Sequence, residues 1–199
     1  VVIVGAGATG VELACKLVDL LEGAAQVHLV DQGDQILARS RAFNREQAER
    51  ALKRRGINVH LKTRVLSVKP DSVRWNGIEG DVEQAHDGLI WTAGSKPNIP
   101  DLHPSAELHQ KRLPVDQTLR LRGQPDVLAL GDIATHAPKD EGQTPWPLSA
   151  QAAIQQGQAA ARTLEAHLKG GTPSPFIFQD LGEMLSLGIS DATITGMGM

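Results

Sequence analysis

The stretch Val1–Leu13, VVIVGAGATGVEL, decides how the rest of the chain is read. Its first four residues are a β-branched run, the composition of a strand buried on both faces of a parallel sheet. Glycines follow at Gly5, Gly7 and Gly10, in the spacing G-x-G-x-x-G. Apolar residues then recur at Val11, Leu13, Ala14, Leu17, Val18 and Leu21, which predicts a helix. Strand, glycine loop and helix in that order are the context in which this motif binds a dinucleotide. Gly5 permits the tight turn, Gly7 lets the backbone approach a pyrophosphate, and Gly10 lets helix and strand close on each other. Thr9 stands inside the loop, where phosphate charge meets the amide end of the helix.

VHLV, residues Val27–Val30, reads as the second strand and ends at Asp31. A carboxylate there accepts the hydroxyls of the adenosine ribose and repels a 2′-phosphate. Asp31 therefore favours NADH over NADPH without barring the latter. Glu12, in the first helical turn, has two readings. It either compensates the helix dipole or faces the nicotinamide end of the site.

Further along, Asn44–Arg55 predicts a second helix closed by Gly56, and Ile57–Val68 supplies strand material. The segment around Val73 and on to Ala85 predicts short antiparallel strands, and GLIWTAG returns to an apolar strand ending at Gly94. The proline-rich SKPNIPDLHPS then marks a crossing between domains. VLALGD, Val127–Asp132, is another buried strand, HAPKDEGQTPWP a loop, and Ser149 the cap of a long helix beginning at Ala150. GGTPSP breaks that helix, and FIFQDLGEMLSLG predicts paired strands of a third region.

Composition narrows the function classes. With 41 % apolar and 22 % charged residues, the chain of 199 is that of a globular protein. A net charge of −3, with its basic residues dispersed, gives no case for nucleic acid. Cys15 is the only cysteine, which removes intrachain disulfides, CxxC redox pairs and cysteine-based metal sites; inside the first helix it reads as structural. The histidines show no metal-ligand spacing, so no metal site is expected. No apolar run approaches the roughly 18 residues of a membrane span. Without an initiator methionine, and stopping at GMGM, the sequence reads as an interior piece truncated at both ends.

Gly131 and Asp132 close a buried strand at its carboxyl end, where α/β sheets bind ligands. Asp132 is either a turn former or a carboxylate for the hydroxyls of a sugar or ribityl chain. Four stretches in order, VVIVGAGATGVELA, GLIWTAGSKPN, VLALGDIA and PWPLSAQAAIQQG, resemble the two-dinucleotide-binding-domain flavoproteins of the pyridine nucleotide-disulfide oxidoreductase superfamily. Within that group the fourth stretch is similar to the type II NAD(P)H:quinone oxidoreductases, where an AQxAxQE segment lines the quinone site beside the flavin. Ala150, Gln151, Ala153 and Gln155 match it; Gln156 stands where the family has glutamate, which removes a charge. DLGEMLSLG resembles the cyanobacterial and plastid branch, whose members reduce naphthoquinones such as demethylphylloquinone.

The resemblance implies an α/β fold in which a Rossmann-like NADH-binding domain (1–94) is inserted in an FAD-binding domain of the same type, in the three-layer manner of glutathione reductase. Residues 95–169 would be the returning FAD portion and 170–199 the start of a C-terminal region. It also implies FAD and NADH as cofactors, and hydride transfer from NAD(P)H to flavin followed by two-electron reduction of a quinone, of the naphthoquinone or the ubiquinone/plastoquinone type. Glu12 would lie near nicotinamide and flavin, Gly131 and Asp132 at the ribityl chain, and Gln151 and Gln155 at the quinone. Family members attach peripherally to a membrane, on a cytoplasmic or stromal face, and a homodimer is an expectation. The competing readings are a flavin reductase serving a protein acceptor such as ferredoxin, and a nucleotide-binding sensor without turnover.

Overall fold

The computed structural model describes residues 1–78, 80–136 and 145–196. The chain divides into two units, Val1–Gly94 with Leu181–Met199, and Ser95–Asp180. In chain order the first unit runs β1 (Val2–Val4), α1 (Ala8–Leu20), β2 (His28–Val30), α2 (Ala42–Arg54), β3 (Asn58–His60), β4 (Arg64–Val68), β5 (Ser72–Gly77), β6 (Gly80–Ala85) and β7 (Leu89–Trp91). β1, β2, β3 and β7 make one parallel sheet in the order β3-β2-β1-β7. Alternation along β1 sends its side chains to opposite faces. Ile3 joins Leu29 and the helix residues Val11, Ala14, Ala48 and Leu52 on one side. Val2 and Val4 join Val30, Val73 and Trp75 on the other, where the antiparallel meander β4-β5-β6 lies. Burying each of these larger side chains contributes about 2 kcal/mol. The unit is α/β with a parallel sheet between helices and meander.

The strand material expected over Ile57–Val68 is cut in two. Lys62 turns at φ +51°, its N–H donating to the Gly33 carbonyl at 2.7 Å, and the chain leaves the parallel sheet for the meander. His28, His60 and Trp75 meet on the meander side: the imidazoles stack with centroids 5.3 Å apart, and His60 lies 5.1 Å from the indole. The His28 Nδ1 and His60 Nε2 atoms are 3.1 Å apart. Burial, and then the neighbouring His60, hold the His28 pKa below its ordinary value.

The second unit contains β8 (Leu113–Val115), β9 (Arg120–Leu121), β10 (Gln124–Leu128), a 3-10 turn over Gly131–Ile133, β11 (Ala134–His136) and α3 (Ala150–Leu168). The sheet order is β10-β9-β8-β11. VLALGD is strand only to Leu128 and closes in the 3-10 turn. The expected loop over 137–144 lies outside the described residues; Pro145–Pro147 is irregular. Trp146 stacks on His136 at 4.4 Å and meets Phe176 edge-on at 4.9 Å. Phe176 donates its N–H to Gln117 O at 2.7 Å and belongs to this unit without forming a strand, so FIFQ is not half of a strand pair. Among the described residues no helix is long and apolar enough to cross a membrane.

The strand pair is instead β12 (Glu183–Ser186) with β13 (Ala192–Thr195), and it belongs to the first unit. Residues 170–199 thus contribute to both units rather than forming one of their own. The hairpin faces α2 with polar groups. Glu183 accepts from Ser40 Oγ (2.5 Å), Arg41 N (3.2 Å) and Asn44 Nδ2 (2.8 Å), while Asn44 Oδ1 accepts from Thr193 Oγ1 at 2.9 Å. Burial raises the Glu183 pKa, but these donors outweigh it and hold the carboxyl below its usual range. Arg55 closes the other end with a two-point bond to Asp19 at 2.7 and 2.9 Å.

Asn44 is fully buried with both ends of its amide bonded. Asn44→Ala should therefore cost about 2–4 kcal/mol in urea denaturation, because Thr193 and Glu183 lose partners in a dry site. His28 gives a pH dependence of known sign. Its depressed pKa means the unfolded chain binds the proton more readily. Its contribution is whole above the ordinary pKa of 6.5 and falls as pH drops through the folded-state value. Melting between pH 7.5 and 5.0 should show a smaller acid-induced fall in Tm for His28→Gln than for the parent.

Candidate functional site

The glycine loop leaves β1 at the point where strand order reverses, between β2 and β7. Each glycine answers a different demand. Gly5 has φ +109°, and a Cβ there would come 2.7 Å from Thr92 Oγ1 and 2.8 Å from Ala93 N. Gly10 faces the loop from the first turn of α1, and a Cβ there would overlap the Gly5 carbonyl oxygen. Thr92 Oγ1 sits 2.9 Å from Val4 O and 3.1 Å from Gly5 O, so the end of β7 holds the turn from the other side.

Gly7 differs. It is the N-cap of α1 at φ −74°, ψ −175°, a conformation open to any residue, and a Cβ would meet nothing within 4 Å. Neither backbone strain nor the chain's own packing requires a glycine here. No side chain caps the helix, and its first turn carries no acid. Gly7, Ala8 and Thr9 are exposed. An exposed helix N-terminus fronted by a bare α-carbon fits a diphosphate that must come close to the backbone.

Asp31 lies directly beneath. Its Oδ2 accepts the Ala6 amide at 2.6 Å and its Oδ1 the Gly33 amide at 2.7 Å. Gly5, Gly7, Thr9, Gly10 and Asp31 are thus gathered around one loop. Glu12, expected in the first helical turn, lies beyond it, because α1 begins at Ala8; it is half-buried, with Oε1 accepting the Ser186 amide of β12 at 2.9 Å. One of its oxygens therefore fastens the hairpin. Gly94 ends the first segment of the first unit, exposed, with φ +79°. Cys15 is fully buried, and burial pushes its thiol up to about 11 against the opposing pull of Arg55. That thiol is unreactive at neutral pH.

In the second unit Gly131 turns at φ +69°, and its amide donates to Gln156 Oε1 at 2.7 Å. Gln156 is buried, nearly two helical turns in from the start of α3, whose cap Ser149 accepts from Ala152 N at 3.2 Å. Arg112 Nε donates to the Asp132 carbonyl at 2.9 Å. The Asp132 side chain projects into solvent from this pinned turn. Ala150 is exposed at the helix start and Gln151 is half-buried on its first turn. Gln155 has a different attachment: Nε2 donates to Gln179 O at 2.8 Å and Oε1 accepts Gln179 N at 3.0 Å. Its amide thereby docks the extended segment before β12.

Three contributors were not legible beforehand. Thr92 had only its position after an apolar strand as a signal, and Arg112 and Gln179 had none. In the sequence Gln156 stands out for a lost charge, whereas its structural act is to accept an amide, which a glutamine performs as well as a glutamate. Among the described residues no three His, Cys, Asp or Glu side chains are grouped to hold a metal ion.

A family model described as pyridine nucleotide-disulphide oxidoreductase matches residues 1–157. Demethylphylloquinone reductase NdbB of Synechocystis sp. is 35 % identical over the whole chain, which spans 49 % of that relative. An alternative NAD(P)H-ubiquinone oxidoreductase C1 of Arabidopsis thaliana is 32 % identical over 98 % of the chain and 40 % of its own length. The chain therefore spans about half or less of these relatives. In fold, NDH2 from Plasmodium falciparum, solved in complex with NADH, superposes with a TM-score of 0.85 at 15 % identity, over all of this chain and 57 % of that one.

The contrast between the two loop glycines is measurable. Gly10→Ala should destabilise by about 3 kcal/mol, since the atom it meets is backbone and cannot turn aside. Gly7→Ala should cost about 1 kcal/mol or less, as an ordinary N-cap change. Chemical denaturation of the two variants checks the ordering.

Proposed function

Because the chain belongs to the pyridine nucleotide-disulphide oxidoreductase family, we propose that it is part of a type II NAD(P)H:quinone oxidoreductase, carrying its NADH-binding unit and a portion of its FAD-binding unit. The observation that carries this reading is Gly7, a glycine that the chain's own conformation and packing do not demand, at the open amide end of α1. A bound pyrophosphate is what would demand it. Residues 1–94 bind NADH, with the diphosphate along Gly5, Gly7, Thr9 and Gly10 and the adenosine ribose toward Asp31. The Asp31 carboxylate disfavours a 2′-phosphate, which makes NADH the preferred donor over NADPH.

Residues 95–169 supply FAD contacts. Gly131, held by Gln156, and Asp132, with its exposed carboxylate, fit the hydroxyls of a ribityl chain. Bound FAD would supply the redox chemistry, taking a hydride equivalent from NADH and releasing two electrons to the acceptor. Glu12 and Gly94 stand on the nicotinamide side, where Glu12 positions through its charge and its hold on β12. Ala150, Gln151 and Gln155 line the acceptor side. The Gln155 amide keeps a second N–H to offer to a quinone carbonyl after its bond to Gln179, and steadies negative charge there without being an acid. The naphthoquinone class is favoured by the likeness to the demethylphylloquinone reductase. The whole enzyme acts as a homodimer at a membrane surface, on its cytoplasmic or stromal face.

Steady-state oxidation of NADH by the whole protein tests this. With a panel of naphthoquinones and benzoquinones as acceptors, turnover is expected with both classes and fastest with the former. Gln155→Ala should lower the quinone rate about tenfold, the loss of one transition-state hydrogen bond. The NADH-to-ferricyanide rate should stay near that of the parent. Equal loss of both rates would remove Gln155 from the acceptor site.

A further inference from the structure

Asp31 is assigned above to the adenosine ribose, but in the fold both its carboxylate oxygens already face main chain. Oδ2 accepts from Ala6 N at 2.6 Å and Oδ1 from Gly33 N at 2.7 Å. Asp31 is itself fixed to β3 and the turn beyond, its N–H donating to His60 O and its carbonyl accepting from Thr63 N, both at 2.9 Å. The other side of the Ala6 residue is held too: its carbonyl accepts from Leu37 N at 2.8 Å. Ala6 is thus tied at both its amide and its carbonyl, between Gly5 and Gly7.

This placement matters because two glycines flank Ala6. Glycine brings the most backbone freedom to lose on folding. A loop with one on either side would sample many directions unless something held the residue between. We infer that Asp31 is a positioning residue of the pyrophosphate loop, its carboxylate fixing the Ala6 peptide and thereby the direction of the first amides of α1, in addition to any contact with ribose. The inference rests on the nucleotide reading of Gly5–Gly10. It predicts that loss of the carboxylate weakens coenzyme binding even when the ribose offers nothing to bind, because an unheld loop must be ordered by the ligand.

Two substitutions separate the roles. Asp31→Asn keeps the shape but turns one acceptor into an N–H donor, so the amide of either Ala6 or Gly33 loses its partner. Asp31→Ser keeps an oxygen able to accept from the residue two positions on, in the manner of a Ser turn, and is too short to reach Ala6. Titration calorimetry on the whole protein would compare NAD+ with an analogue lacking both hydroxyls of the adenosine ribose, and thermal melting would confirm folding. Asp31→Ser should bind both coenzymes about tenfold or more weakly, the scale of one charged hydrogen bond, and Asp31→Asn, which can still offer its one oxygen to Ala6, should fall between it and the parent. The factor for the analogue should be tenfold by itself.

Weakening confined to the coenzyme that carries the hydroxyls would overturn the inference and leave Asp31 a ribose contact alone. Unchanged binding of both would overturn it as well. If Asp31→Asn fails to fold, the Asp31→Ser comparison decides in the same way. A parent protein that binds neither coenzyme would instead sink the nucleotide reading itself, an outcome separable from the others because it needs no variant.

Discussion

The carbonyl oxygen of Gly5 is the constraint around which the first unit is arranged. It occupies the space that any side chain at position 10 would need, so α1 can start only as close to β1 as a glycine allows. Thr92, at the end of β7, closes on the same peptide from the opposite side. The turn is therefore specified jointly by β1, α1 and β7. Its open direction lies above Gly7, with the helix amides at its back. An open helix N-terminus of this kind follows from close packing on three sides and none on the fourth.

The second unit solves a related problem by other means. Gly131 must turn at positive φ to end the strand path, which leaves its amide inside the protein. Gln156, projecting from the buried side of α3, accepts that amide and ties the turn to the helix. Arg112 pins the next carbonyl. The Asp132 carboxylate is left outward as a consequence of how the peptides on either side are satisfied. A glutamate in place of Gln156 would accept the same amide, so the family's usual charge is not needed for this turn.

The parts that could be read from residues alone are those in which local pattern and tertiary demand coincide. The β-branched run at Val1–Val4, the glycine spacing and the helical recurrence from Val11 agree with one another, and the sheet, α1 and α2 stand where they point. The hairpin β12–β13 is harder to read because its pattern is mixed. Met184 and Ile194 are 69 % and 60 % exposed, while Thr193, Thr195 and half-buried Glu183 share the inward face with Leu185. Apolar-in, polar-out logic accounts for Leu185 and for none of its neighbours on that face. Its docking is decided by Asn44, a buried amide on a helix more than a hundred residues earlier, and nothing local to either segment announces that match. The same holds for Gln155, whose residue type fits a ligand contact but whose amide also pairs with the backbone of Gln179.

These dual attachments bear on how the site residues act. Glu12 and Asp31 are carboxylates in places where a nucleotide enzyme has use for charge, and each also accepts main-chain amides of its own unit. An acid whose oxygens are tethered has little freedom to reorient when a ligand arrives, so its charge is presented in one direction at low entropic cost. The tether on Glu12 runs to β12, which in turn is fastened to α2 through Glu183. The helix that begins at the glycine loop, the one that follows Asp31 and the hairpin are thereby joined by polar bonds as well as by the apolar cluster of Val11, Ala14, Leu52 and Leu185. The loop below the open face at Gly7 is held in the same manner, with Thr92 on the Gly5 carbonyl, Asp31 on the Ala6 amide and Leu37 on the Ala6 carbonyl, so its backbone is fixed on the sides away from that face.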